Sequence, residues 1–136
     1  MQNSCTRNGL MASPEMKDRF EKEYPAYQPE FAMTEMLKPL MKGIKTTIVL
    51  GQWCGDCQLQ VPRFYKVLDQ AGVNEDDIKV ICVDRSKQAA DGSKDGLGIA
   101  HVPTFIFFAN NTEIGRITEA PLTTLESDMV IILENK

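Results

Sequence analysis

The chain has 136 residues, 43% hydrophobic and 25% charged, with a formal net charge of −4, which is the composition of one folded domain able to build its own core. No Lys/Arg cluster offers an electrostatic footprint for nucleic acid, and no apolar run approaches the ~20 residues that cross a bilayer. The opening stretch MQNSCTRNGLMASPEM has neither the basic start nor the apolar centre of a secretory signal. The expectation is therefore a soluble, cytoplasmic monomer without nucleic-acid or membrane partners, or a periplasmic one if a leader has been removed.

Residues 1–12 show no periodicity and are expected to be mobile, leaving 1–13 as a tail. Ser13-Pro14 reads as a helix start, with a cap followed by proline at the first helical position. Met16, Phe20 and Tyr24 then form one apolar stripe. The prolines of YPAYQPEF end that helix. Met33, Met36, Leu37, Leu40 and Met41 predict a second helix, kinked at Pro39, stopped by Gly43 and packed on a sheet. TTIVLGQW (46–53) is β-branched and apolar, a buried strand. From Gly55 to Gly72 a helical pattern carries Leu59, Phe64, Val67, Leu68 and Ala71 on its apolar side, with Pro62 inside it. IKVICVD (78–84) is the next strand, and the polar, Gly-rich 85–98 is a loop or short surface helix. VPTFIFFA and EIGRIT are two strands joined by Asn110-Asn111, a pair that tolerates a tight hairpin. Thr123 to Glu126 matches a capping box, and Leu125, Met129, Ile132 and Leu133 give the closing helix an apolar face. A strand–helix–strand unit followed by a hairpin predicts a mixed sheet with helices on both faces.

Of the four cysteines, Cys5 falls in the tail and is expected to be inert, and Cys82 reads as a small core residue. Cys54 and Cys57 are the local pair. Cys54 stands where a strand ends and a helix begins, so the helix dipole and free backbone N–H groups favour a thiolate. Cys57 follows one turn later, placed to resolve a mixed disulfide formed on Cys54. Trp53 offers a flat apolar contact for a docking partner. Zinc would lack ligands, because the chain has no second cysteine pair and a single histidine, His101. A copper site built from Cys54, Cys57 and His101 has ligands of suitable softness and stays open. A purely structural disulfide would close a ring too short to remove much chain entropy.

WCGDCQLQVP resembles the thioredoxin signature, Trp-Cys-Gly-Pro-Cys followed five residues later by a helix proline, with Pro62 at that spacing. VPTFIFF is similar to the thioredoxin segment whose cis-proline faces the cysteines, with Pro103 in that role. On these motifs and the strand–helix order of about 45–135, the chain is identified as a member of the thioredoxin-like superfamily. The resemblance implies an α/β thioredoxin fold, with a mixed central β-sheet flanked by helices. It would be one domain over 14–136, a core at 44–136 carrying an N-terminal helical extension at 14–43. It also implies a thiol–disulfide oxidoreductase in which Cys54 attacks and Cys57 resolves. No metal is implied, and no cofactor beyond the redox-active Cys54–Cys57 disulfide. Trp53, Gly55, Val102 and Pro103 would meet the substrate. The partners would be disulfide-containing proteins and an upstream thiol reductase. A thioredoxin-fold metallochaperone and a non-catalytic partner-binding module are the competing readings.

Three departures from the family pattern stand out. Asp56 replaces the motif proline and should oppose negative charge on Cys54, making the pair more reducing. The positions of the family's buried acid and its lysine neighbour hold Ile48 and Val80, so Asp56, His101 or water would have to move the proton on Cys57. His101, two residues before Pro103, should lie near the thiols. After the hairpin, Glu119 and Pro121 stand where the family carries a glycine, changing the rim of the substrate groove.

Overall fold

The computed structural model describes residues 4–83, 99 and 101–134, with Ser4 and Cys5 as backbone. Its elements run β1 (Ser4–Cys5), α1 (Arg7–Ala12), α2 (Lys17–Ala26), α3 (Phe31–Leu40), β2 (Ile44–Leu50), α4 (Gly55–Gln70), a 3-10 turn (Glu75–Asp77), β3 (Ile78–Cys82), β4 (Thr104–Ala109), β5 (Thr112–Thr118) and α5 (Leu125–Glu134). The loop expected at 85–98 lies outside the described residues.

The β-branched run of β2 is buried from Thr46 to Leu50 because the strand is central and covered on both faces. It pairs parallel with β3 and antiparallel with β4, so that Ile48 faces Val80 on one side and Phe105 on the other. The five strands are ordered β1-β3-β2-β4-β5, a mixed sheet as expected. Helix α4 buries Val61, Phe64, Val67 and Leu68, and Phe64 stacks on Phe105 of β4 with ring centroids 4.0 Å apart. Asn110 and Asn111 both hold positive φ, 52° and 66°, in the β4–β5 hairpin.

The N-terminal region differs from the sequence reading. Residues 4–12 are structured rather than a tail. Ser4 and Cys5 pair antiparallel with Ile81 and Val80, and Thr6 caps α1 by accepting the Gly9 N–H at 3.0 Å. Leu10 is fully buried, and a single buried residue per short helix leaves no period to read. Cys82 is buried but disulfide-bonded rather than a plain core thiol.

Further corrections concern helix ends and faces. Helix α2 continues through Pro25 to Ala26. Helix α3 packs on α5, with Leu37 buried and Met36 left exposed. The cap of α5 is Thr124, whose Oγ1 accepts the Ser127 N–H at 3.1 Å, not a Thr123–Glu126 box. Glu126 is instead buried and accepts from the Tyr27 hydroxyl at 2.7 Å and the Glu30 N–H at 2.9 Å. It holds the linker between α2 and α3 onto α5.

Candidate redox site

The C-terminal end of β2 runs into α4 through Gly51-Gln52-Trp53-Cys54, and this turn is tied down on several sides. Gln52 Oε1 accepts from Ser13 Oγ at 2.5 Å, its Nε2 points to Cys82 Sγ at 3.8 Å, and its carbonyl accepts from Gln58 Nε2 at 2.9 Å. The Trp53 indole N–H donates to Val83 O at 3.2 Å. The ring lies across Gly51 so closely that a Cβ there would come within 2.5 Å of it. Trp53 is therefore half-buried and braced rather than freely exposed.

Cys54 is the N-cap of α4. Its sulfur takes the place that a Ser or Asp oxygen usually fills, accepting the Cys57 N–H at 3.2 Å. A backbone donor at a helix start suits negative charge on that sulfur. On its other side Cys54 Sγ lies 3.6 Å from Val102 O, to which a protonated thiol donates. Cys54 is partly exposed and Cys57 fully buried, and both are free thiols. Burial pushes the Cys57 thiol far up. The hydrogen bond with Cys54 and the charges of Cys54 and Asp56 add to this, and only the Gly51 N–H, 3.5 Å from the sulfur, opposes them. The two sulfurs thus have different environments, one at the surface and one held protonated inside.

Asp56 is exposed in the first turn of α4, as its place in the motif predicted. Gly55 opens the helix in clear space, where a Cβ would touch nothing. Val102 and Pro103 are buried, and the bond between them is cis. Ile48 and Val80 are buried side by side, so the charged pair of the family pattern is replaced by an apolar contact. His101 is exposed and its Nδ1 lies 3.0 Å from Glu119 Oε1. The structure therefore brings together Trp53, Cys54, Cys57, Val102 and Pro103, and it turns His101 toward the rim. Among the described residues no group of three His, Cys, Asp or Glu side chains is placed to hold a metal ion. No helix among them is long and apolar enough to cross a membrane. The sequence reading missed Gly51, whose signal was a glycine two residues before the bulky Trp53, and Gln52, which carried none.

A family model described as thioredoxin matches residues 9–130. Thioredoxin from Malassezia sympodialis is 27% identical over 95 residues, covering 68% of this chain and 87% of that protein. Thioredoxin-like protein 1 of Schizosaccharomyces pombe is 30% identical over 82 residues, covering 60% of this chain but 27% of that longer protein. A solved structure of a protein of unknown function from Pseudomonas aeruginosa shares the fold with a TM-score of 0.58 at 15% identity, covering 96% of this chain and 92% of that one.

Proposed function

Since the chain belongs to the thioredoxin family, we propose that it is a thiol–disulfide oxidoreductase that reduces disulfides in protein substrates and is recharged by an upstream thiol reductase. The observation that carries this reading is the asymmetry of the pair. Cys54 is at the surface on a helix N-cap, and Cys57 waits one turn behind it, buried and protonated. Cys54 thiolate attacks one sulfur of the substrate disulfide, forming the Cys54–substrate bond and releasing the other substrate sulfur as a thiolate that takes a proton. Cys57 gives up its proton and attacks Cys54 Sγ, breaking the mixed disulfide and releasing the second substrate thiol. Two electrons and two protons pass to the substrate, and the protein is left with a Cys54–Cys57 disulfide. The reductase reverses that state.

The buried Cys57 must lose its proton without the buried acid of the family pattern. Its proton leaves by way of the mouth, through the substrate's departing thiolate or water, since the adjoining sheet positions are Ile48 and Val80. The segment Val102-Pro103 borders Cys54 and offers its backbone to an extended substrate chain, with Trp53 as an apolar contact.

Limiting iodoacetamide near neutral pH should label Cys54 before Cys57. Cys57→Ser should accumulate mixed disulfides with protein substrates, whereas Cys54→Ser should form none and should lose insulin reduction. Preferential labelling of Cys57, or reduction surviving in Cys54→Ser, would overturn the assignment.

A further inference from the structure

The chain leaves β5 through Glu119, which holds φ at 66°, a left-handed conformation that glycine adopts freely and a long acidic residue does not. Two contacts keep it there, and both run to the segment bordering Cys54. The Glu119 N–H donates to Pro103 O at 2.7 Å, and Glu119 Oε1 lies 3.0 Å from His101 Nδ1. That segment is braced again by Thr104 Oγ1, which donates to His101 O at 2.6 Å. Between these ties, Val102 O lies 3.6 Å from Cys54 Sγ. Glu119 is thus tied to the segment beside the nucleophile by its backbone at Pro103 and by its carboxylate at His101, yet its side chain stays 46% exposed. Oε1 takes the imidazole, and Oε2 has no donor among the described residues. A carboxylate held in place with one oxygen open is a receptor for a cationic side chain. The chain's net charge of −4 draws such a partner in the same sense.

We propose that Glu119 is a substrate-selecting residue of the redox site, favouring protein disulfides flanked by Lys or Arg over those flanked by acidic residues. The proposal rests on the oxidoreductase reading above and names the substrate class of that site. His101 lies beside the Glu119 carboxylate as a charge contact on its 101–103 side.

The test uses the full, reduced chain and two disulfide peptides that differ only in Arg or Glu on either side of their cysteines. Second-order rates of reduction are divided by the rates with dithiothreitol, a small dithiol that also attacks as its thiolate, which cancels the peptides' own reactivity toward a thiolate. At low ionic strength the corrected rates should favour the Arg peptide by about threefold to fivefold, the worth of one exposed ion pair. The preference should fade toward one as salt shortens the range of the charge, and it should vanish in Glu119→Gln while the redox potential of the cysteine pair stays put. A general distortion of the mouth would move that potential. If Glu119→Gln does not fold, Glu119→Gly removes the charge while relieving the left-handed backbone and should lose the preference equally. A corrected ratio near one in the unaltered chain overturns the proposal. So does a preference that survives both Glu119 variants, or one that disappears only in Asp56→Asn. Failure to reduce either peptide removes the oxidoreductase reading and this proposal together.

Discussion

At its N-terminal end α4 begins with a sulfur that takes one backbone N–H and keeps part of its surface open. At its C-terminal end Asp69 accepts three hydrogen bonds. Arg7 forks onto it with bonds of 2.8 and 2.7 Å, and the Tyr24 hydroxyl donates to the same carboxylate. The Arg7 guanidinium also lies 4.1 Å above the Tyr65 ring. Its Nε is 2.8 Å from Glu75 Oε1, a charge contact off the N–H axis rather than a hydrogen bond. The same helix therefore carries an under-partnered group at one end and a matched charge network at the other. The sulfur at the helix start keeps part of its surface open, whereas the carboxylate at the helix end accepts three hydrogen bonds that fasten the N-terminal segment to the core. Reactivity and anchorage are kept apart by the length of one rod.

The contrast is broken most sharply by Arg7→Ala. It leaves Asp69 half-satisfied and strips the cover from Tyr65, and it should cost about 2 kcal/mol of stability by urea titration. Disulfide reduction measured well below the unfolding midpoint should stay within about twofold. An equal fall in both would show that the two ends are not independent. Gly51→Ala attacks the other end. Its Cβ would press on the indole of Trp53, so a loss of about 1–3 kcal/mol is expected. As the chain has a single tryptophan, a change in fluorescence emission should report its displacement directly, together with slower substrate reduction.

Acid and alkali sharpen the comparison through the shifted groups of the anchored end. Burial pushes the Asp69 carboxyl up, but the Arg7 and Tyr24 hydrogen bonds outweigh it and hold it below its ordinary value. A depressed carboxylate contributes stability that is present above the ordinary range near ~4 and lost as pH falls through the lower folded value. Asp69→Asn should flatten that acid limb of a stability–pH curve. Burial and the bond to Asp69 push Tyr24 up to about 12. Its contribution is therefore complete below the ordinary tyrosine value of about 10 and fades as pH rises toward the folded one. Tyr24→Phe should lessen the alkaline fade, to which the raised Tyr27, Tyr65 and Cys57 also contribute. The smallest effect is expected at the reactive end. Asp56→Asn removes a charge that bears on Cys57 and lies beside Cys54. The disulfide should become easier to reduce, raising the potential by ~20 mV, at ~30 mV per 1.4 kcal/mol. An unchanged or lower potential would show Asp56 to be a helix-start acid and nothing more.

The reactive end was legible in the sequence because its chemistry is local. A cap position, a second thiol one turn on and a Val-Pro step beside a strand are all set by neighbours in the chain. The anchored end was not legible, because Arg7 meets Asp69 across 62 positions and nothing near either residue announces the other. The Thr123–Glu126 match failed for a related reason. Glu126 finds better donors in Tyr27 and Glu30, and Asp128 takes the N–H groups of Leu122 and Thr123 at 2.7 and 3.2 Å, so tertiary partners displaced the local box. Glu119 was read as a missing glycine. Its role at the rim depends on a backbone angle and on a histidine 18 positions earlier (119 − 101), neither of which has a sequence signature. The sheet, by contrast, followed from apolar, β-branched runs, and the strand–helix–strand unit and the hairpin read there appear as the parallel β2–β3 and antiparallel β4–β5 pairs.

Strand β1 is two residues long, and its whole pairing is Ser4 with Ile81 and Cys5 with Val80. Those partners belong to an apolar strand whose Val80, Ile81 and Cys82 are buried. The opposite margin of the sheet, β5, defends itself with charge, since Glu113 and Arg116 pair along it at 2.6 Å. Strand β3 carries a single exposed charge, Lys79, and is paired along its other margin by the short strip laid over it. A chain trimmed of its first five residues would present unpaired N–H and C=O groups along a hydrophobic margin, the template on which a second copy adds a strand. The N-terminal segment is in this sense an aggregation shield, and its loss should appear first as concentration-dependent association rather than as unfolding.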